Sequence, residues 1–175
     1  GLVVPLHQDR QARHRGRRWL DFSTNTYPIS RDLRMDRRLN LFTVLDQAAA
    51  RFPDRGALYE GQCRLCTWLE LRDRALRIAT SIRAHHGTGA RIAVASENRP
   101  EIVELMFATW AAQCVAVPIN YKLHPREMAQ ILDDSGGSLI FASPTIAAGL
   151  ERPAEVIGTE QYSQRLANPA VALPD

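Results

Sequence analysis

Two groups of polar side chains follow apolar runs that are typical of buried strands, and they are well placed to bind a ligand. Ser96, Glu97 and Asn98 follow the run 92–95, and residues 120–124 (Asn-Tyr-Lys-Leu-His) follow the next run. Open parallel sheets bind ligands at the carboxyl ends of their strands. A polar lip is also what any exposed sheet edge shows, and we favour that interpretation. The sequence therefore indicates where a site would lie but assigns no catalytic residue.

Cysteine and histidine spacing could indicate redox or metal chemistry. Cys63 and Cys66 form a CxxC pair, but a thioredoxin-type pair opens a helix, and here the helix signals begin only after Cys66. We expect the pair on or beside a short strand. A zinc site would need two more ligands, and the neighbouring His85 and His86 point about 100° apart on a helix. We interpret Cys63, Cys66 and Cys114 as structural, reduced thiols and predict no metal ligand.

The glycine string His-His-Gly-Thr-Gly-Ala-Arg at 85–91 superficially suggests a dinucleotide site. A dinucleotide fingerprint follows a strand and opens a helix, because the amides at the helix end hold the pyrophosphate. This string follows a predicted helix and precedes a predicted strand, so it is interpreted as a helix end and a turn. The sequence also contains no GxxxxGK[ST], GxSxG or HExxH motif. We therefore assign no cofactor-binding residue.

The elements before this string are predicted from local signals. Asn40 is placed to cap a helix with apolar residues at spacings of three and four. Gly61 and Gln62 separate two short runs and predict a two-residue hairpin. Thr67 followed by Glu70 forms a capping box for a helix that reaches about residue 85.

The central segment predicts an α/β fold with a parallel βαβαβ sheet flanked by helices. Strands are expected at 91–95, 114–118 and 138–142, with helices at 100–112 and 125–134 between them. Short apolar strands that alternate with helices favour right-handed crossovers and a sheet covered on both faces. His124 is predicted as a modest cap or surface residue at the start of the second helix, not as a catalyst.

Three regions are predicted along the chain. Residues 1–38 form a basic, irregular arm, residues 39–160 form the α/β subdomain, and residues 161–175 form a linker-like tail. Near the end of the subdomain, a weak helix at 146–150 and a strand at 155–157 are expected.

Composition and charge restrict the class of protein. The chain has 175 residues and is 45% hydrophobic, which gives room for one core, and it lacks an apolar run long enough to span a bilayer. The basic residues near the start follow the apolar ones, the reverse of a secretory signal, so the expected location is the cytoplasm.

The positive charge belongs to the arm. Residues 1–40 carry nine Arg and four Asp, a net of +5, while residues 41–175 have a net of −2. A solvated tail is the interpretation we favour, and contact with an anionic membrane or nucleic acid is the alternative. Nucleic acid is disfavoured because no zinc-finger, helix-turn-helix or RNP-like pattern accompanies the charge.

From residue 39 onwards, the chain resembles the adenylate-forming acyl-CoA synthetases (AMP-dependent synthetases and ligases). The combination that carries the resemblance is a strand, N-x-P-E, a strand that ends in V-P-I-N, and L-x-P-x-E before I-L-x-D-S-G. These motifs lie in the segments NLFTVLDQAAARFPDRGAL, TWLELRDRALRIATSIRAHH, GARIAVASENRPEIVELMFATWAAQCVAVPIN and YKLHPREMAQILDDSGGSLIFAS. His124 departs from the family, which usually has Thr or Ser there.

The resemblance implies the N-terminal subdomain of that fold and a parent enzyme that activates a carboxylic acid. The acid would react with ATP, with Mg²⁺ on the phosphates, to give an acyl-adenylate, and coenzyme A would then displace AMP. The family's phosphate loop, adenine-binding motifs and catalytic lysine have no counterpart here, so the chain is expected to be a piece truncated before the phosphate loop and inactive alone.

Two further expectations concern interactions. A non-catalytic binding module that uses the basic arm on an acidic partner or an anionic membrane is the competing function. Met106, Phe107 and Trp110 are expected to be exposed where later sequence would pack, which would favour self-association.

Overall fold

The computed structural model describes residues 40–170, so the predictions for residues 1–38 lie outside the described part of the chain. The described part contains six helices and six strands: α1 (Phe42–Arg51), β1 (Gly56–Glu60), β2 (Cys63–Thr67), α2 (Trp68–His86), β3 (Arg91–Ser96), α3 (Pro100–Ala111), β4 (Val115–Asn120), α4 (Pro125–Ser135), β5 (Leu139–Ala142), α5 (Pro144–Ala147), β6 (Glu155–Val156) and α6 (Glu160–Leu166).

The four later strands form one parallel sheet in the order β4-β3-β5-β6. The predicted α/β class and the parallel βαβαβ arrangement are confirmed. β3 lies inside the sheet, and every residue in it except Arg91 is buried, which explains its apolar run. Ala93 of β3 is in register with Val117 on one side and Ile140 on the other.

The two faces of the sheet support two separate cores. Ile92, Val94 and Phe141 pack against α1, α2, α3 and α6 in the larger core. Ala93, Ala95 and Ile140 point to the other face, where Met128 and Leu132 of α4 cover them. The alternation follows from the two-residue period of a strand, which sends neighbouring side chains to opposite faces.

The predicted helix caps are confirmed. Thr67 Oγ1 accepts a hydrogen bond from the Glu70 N–H at 3.2 Å, and the Glu70 carboxylate accepts one from the Thr67 N–H at 2.7 Å. His124 caps α4 in the same way, with its Nδ1 accepting from the Arg126 N–H. Asn40 Oδ1 accepts from the Phe42 N–H at 2.9 Å, so this side chain does bind the start of α1.

The predicted hairpin around Gly61 is also confirmed. β1 and β2 are antiparallel and form a sheet of their own, apart from the parallel sheet. Gly61 has a φ of +59°, a left-handed conformation that glycine adopts without the steric cost of a Cβ.

The C-terminal part of the described chain differs from the prediction. The weak helix expected at 146–150 is instead the single turn α5. It starts earlier, at Pro144 directly after Ser143. The linker-like tail predicted from residue 161 is wrong for its first residues, which form α6. Thr159 caps this helix, and Tyr162 is buried against the larger core.

The burial of α3 also differs from the prediction. Met106, Phe107 and Trp110 are half-buried, so they are less exposed than the sequence analysis expected. Phe107 and Trp110 pack edge to face, with ring centroids 5.4 Å apart. The buried positions of α3 include Glu104, a charged residue in an otherwise apolar stretch of the helix.

Among the described helices, none is both long and apolar enough to cross a membrane.

Candidate functional site at the carboxyl edge of the sheet

The carboxyl ends of β3 and β4 lie side by side, as the sequence predicted. Ser96 at the end of β3 is in register with Asn120 at the end of β4. On the other side of β3, Ala95 is in register with Ala142, the last residue of β5. Polar residues that follow three strands therefore meet at one edge, which is the general ligand-binding edge of open parallel sheets.

The strand order predicts a ligand-binding position between β3 and β5. From β3 the chain continues through α3 to β4, while from β5 it continues through α5 to β6 on the opposite side. The outgoing connections of these neighbouring strands therefore diverge, which is the definition of a topological switch point. Residues 96–98 follow β3 at this switch point, and residues 143–145 follow β5 beside it.

Ser143 directly follows β5, next to the end of β3. Ser143 is 1% exposed, and its N–H donates to the carbonyl of Ala95 at 3.1 Å. The Ser143 hydroxyl makes no hydrogen bond of ordinary geometry to any described residue. The pKa of the Glu97 carboxyl is lowered, chiefly by the Ser143 side chain and less by the Glu97 N–H, the Arg99 charge and the Thr145 hydroxyl.

Sequence reasoning identified Glu97 but missed Ser143 and Thr145. The rule that found residues 96–98 is to inspect the positions that follow a buried strand. Applied to the run 139–142, the same rule would have identified Ser143.

The polar residues after β4 serve the local turn. Asn120 Oδ1 accepts a hydrogen bond from the Lys122 N–H at 3.0 Å. The Lys122 ammonium lies over the Tyr121 ring, 5.8 Å from its centroid. With His124 used as the cap of α4, this segment supports a turn and a helix start, in agreement with the interpretation favoured from sequence.

A second polar region is a cleft of about 740 Å³ between the hairpin and the first turns of α2 and α3. Its inner wall carries Glu104, which is 2% exposed and forms an ion pair with Arg74. The Tyr162 hydroxyl donates to Glu104 Oε2 at 2.8 Å. At the rim, Arg99 and Glu101 form an ion pair at 3.0 Å. These carboxylates are therefore satisfied by partners within the chain.

Burial and the neighbouring Glu104 raise the pKa of Tyr162 far above its usual range, so this tyrosine stays protonated. A protonated phenol can donate to the carboxylate. The Arg74–Glu104–Tyr162 cluster thus links three helices through one buried negative charge, a structural role that the sequence did not reveal.

The cysteines and histidines lie where the sequence analysis expected them. Cys63 and Cys66 lie on β2, and both are free thiols. Burial raises the pKa of Cys66, which lines the cleft, and burial likewise raises the pKa of Cys114. His85 Nδ1 is 2.8 Å from the Ser81 carbonyl at the end of α2.

Within residues 40–170, no group of three or more His, Cys, Asp or Glu side chains could hold a metal ion. The glycine string is the end of α2, where Gly87 and Gly89 have φ values of +73° and +75°. Its interpretation as a helix end and a turn is confirmed.

Comparisons with known proteins agree on one family. Residues 45–172 match the family of AMP-binding enzymes. The chain is 30% identical over 132 residues to the long-chain-fatty-acid–CoA ligase of Thermus thermophilus, covering 73% of this chain and 24% of the relative. It is 37% identical over 87 residues to a feruloyl-CoA synthase from an Amycolatopsis species, covering 47% of this chain and 18% of the relative.

The fold also agrees with a solved structure of an N-terminal domain. The inhibitor-bound N-terminal domain of FACL13 from Mycobacterium tuberculosis superposes with a TM-score of 0.65 at 28% identity, over 78% of this chain and 37% of that domain. The chain spans about a quarter or less of the length of the curated relatives described above.

Proposed function

Because the chain belongs to the family of AMP-binding enzymes, we propose that it forms the N-terminal part of an ATP-dependent carboxylic acid–CoA ligase. The family match over residues 45–172 is the observation that carries this proposal. The relatives named for long-chain fatty acids and for ferulate support a carboxylic acid as the substrate class. They differ in the acid, so the acid used here is left open.

The proposed reaction has two steps. The carboxylate oxygen attacks the α-phosphorus of ATP, which forms an acyl-adenylate and releases pyrophosphate. The coenzyme A thiol then attacks the acyl carbon, forms the thioester and releases AMP. Mg²⁺ would neutralise phosphate charge. The described residues offer no carboxylate cluster that fits this ion, so we assign it no ligand in residues 40–170.

We propose that residues 40–170 act as a scaffold that presents the carboxyl edge of the sheet, and that the isolated chain is inactive. Transfer of an adenylyl group requires donors aimed at the developing phosphate charge, each worth several kcal/mol of barrier. The 175 residues contain no glycine-rich loop with a lysine that could supply them. No catalytic or cofactor-binding residue is assigned, and the cytoplasm is the proposed location.

Acid-dependent exchange of pyrophosphate into ATP tests both parts of this proposal. The chain as given and the chain extended by the coding sequence that follows it are assayed with a panel of fatty and aromatic acids. We expect exchange with at least one acid for the extended protein and background for the 175-residue chain. Exchange by the short chain would overturn its inactivity, and no exchange by the extended protein would contradict the ligase function.

A second candidate is binding of the arm to an anionic membrane surface. The net charge of +5 over residues 1–40 favours it, because clustered Arg residues near an anionic bilayer contribute about 1 kcal/mol each. Co-sedimentation with vesicles that contain phosphatidylserine should fall when residues 1–38 are deleted and should fall with added salt. Binding that survives the deletion would exclude the arm as the membrane contact.

A further inference from the structure

Ion pairs neutralise many of the arginines on the domain surface, but three arginines near the hairpin have no such partner. Arginines that form ion pairs with carboxylates are those at positions 72, 74, 77, 99, 152 and 165. Arg51, Arg55 and Arg64 are exposed, and no ion pair joins any of them to a carboxylate within residues 40–170. They come from α1, from the turn that follows it and from β2.

The three guanidinium groups converge on the turn at residues 52–55. Arg51 and Arg55 both lie over the ring of Phe52, with their Cζ atoms 5.2 and 4.9 Å from its centroid. These two Cζ atoms are therefore within about 10 Å of each other. Arg64 reaches the same turn from the hairpin, where its Nη1 donates to the carbonyl of Asp54 at 3.4 Å. The fold thus gathers three positive charges at one place without neutralising them.

Exposed apolar and aromatic side chains flank this turn. The Leu69 N–H donates to the Pro53 carbonyl at 3.2 Å, and Leu69 is 49% exposed. Tyr59 is 57% exposed and lies directly across the hairpin from Arg64. Arginine beside leucine and tyrosine is typical of surfaces at the boundary of water and lipid, where the apolar groups enter the headgroup layer. Nucleic acid would bind the arginines through its phosphates but would gain nothing from the leucine.

We infer that Arg51, Arg55, Arg64 and Leu69, here called the arginine patch, form a docking surface for an anionic lipid membrane. The arginines complement the negative charge of the headgroups, and Phe52 holds two of them in place. Leu69 inserts among the headgroups. The patch belongs to the folded domain, so this contact requires neither the basic arm nor the ligase function proposed above.

Co-sedimentation of the 175-residue chain with vesicles of phosphatidylcholine and phosphatidylserine tests the patch. Each arginine near an anionic bilayer contributes about fivefold in affinity, so replacing the three patch arginines by Gln should lower the affinity about 100-fold at low salt.

The matched control carries Arg91→Gln, Lys122→Gln and Arg126→Gln, which remove the same charge from other exposed positions. It should lower the affinity by no more than about threefold, because separated charges are screened by salt. Equal losses in the two triple variants, the result expected if only the arm binds, would overturn the inference. An absence of binding by the unsubstituted chain would overturn it as well.

Two single variants test the charge and the apolar part of the patch separately. Asp54 is the exposed carboxylate of the turn, so Asp54→Asn should raise the affinity for vesicles about threefold, a gain that loss of folding cannot produce. Leu69→Gln should lower the affinity for vesicles about fivefold and leave binding to a duplex oligonucleotide unchanged. Vesicle binding that is unchanged in Leu69→Gln, or arginine-dependent binding to the oligonucleotide alone, would refute the membrane as the partner.

Discussion

Replacing Tyr162 by Phe tests whether the buried Glu104 carboxylate stabilises the fold through its partners. The Tyr162 hydroxyl donates to Glu104 at 2.8 Å, and the two residues are 3% and 2% exposed. The substitution removes this donor and keeps the ring, which packs edge to face on Phe141 with centroids 6.2 Å apart. Arg74 remains as the other partner of the carboxylate.

The expected loss follows from the type of bond. A hydrogen bond to a charged group contributes about 1.5–3 kcal/mol, and both partners of this bond are almost fully enclosed. We therefore expect Tyr162→Phe to lower the free energy of unfolding by about 2 kcal/mol. For a domain of this size, that loss corresponds to a fall in Tm of about 6–10 °C.

Urea unfolding followed by circular dichroism measures this loss, with Tyr59→Phe as the matched control. Tyr59 is 57% exposed on the hairpin, so losing its hydroxyl should change the stability by less than about 0.5 kcal/mol. A double-mutant cycle isolates the charge: in a Glu104→Gln background, removing the Tyr162 hydroxyl should cost only about 1 kcal/mol. Equal losses for the two tyrosines, or no coupling to Glu104, would refute the reasoning.

Four further outcomes are expected. Thr67→Ala should destabilise the chain by about 1 kcal/mol and Thr67→Ser by less, measured by urea unfolding, because serine keeps the oxygen that caps α2. The hydrogen bond from the Thr67 N–H lowers the pKa of Glu70 in the folded chain. The stability contributed by the Glu70 carboxylate is therefore present above its unfolded pKa and is lost as the pH falls through its folded pKa. Unfolding titrations between about pH 6 and 3 should show a shallower dependence in Glu70→Gln. Leu105→Ala, at a fully enclosed position, should cost about 2–5 kcal/mol in the same unfolding assay. Iodoacetamide followed by peptide mass spectrometry should label the exposed Cys63 before Cys66, whose thiol pKa is raised by burial, and the reverse order would contradict the described burial.

The elements that sequence reasoning predicted are those whose signals are local. The capping box of α2 lies within four residues, from Thr67 to Glu70, and it needs no information from elsewhere in the chain. The same holds for the turn at Gly61, where a left-handed backbone favours glycine. The strands of the parallel sheet were predicted because each is a short apolar run next to residues that start or end helices.

The features that the sequence did not reveal depend on partners far along the chain. Glu104 interrupts an apolar helix and is buried, because its partners Arg74 and Tyr162 lie 30 and 58 positions away. For the same reason α6 was mistaken for a linker: its stability comes from Tyr162 and from the ion pair between Arg165 and Glu155. Glu97 was predicted near a ligand-binding edge because it follows a strand, whereas Ser143, which follows the predicted strand 138–142 in the same way, was not.

The late position of Tyr162 also has a consequence for protein synthesis. When Glu104 leaves the ribosome, Arg74 has already been made, but the hydroxyl donor is still 58 residues away. At about 5–20 residues per second, the carboxylate waits about 3–12 s for that donor. During this interval α2 and α3 can associate, but the larger core stays open where α6 will close it. A ribosome that pauses between these two codons therefore prolongs the exposure of an incomplete core to chaperones and proteases.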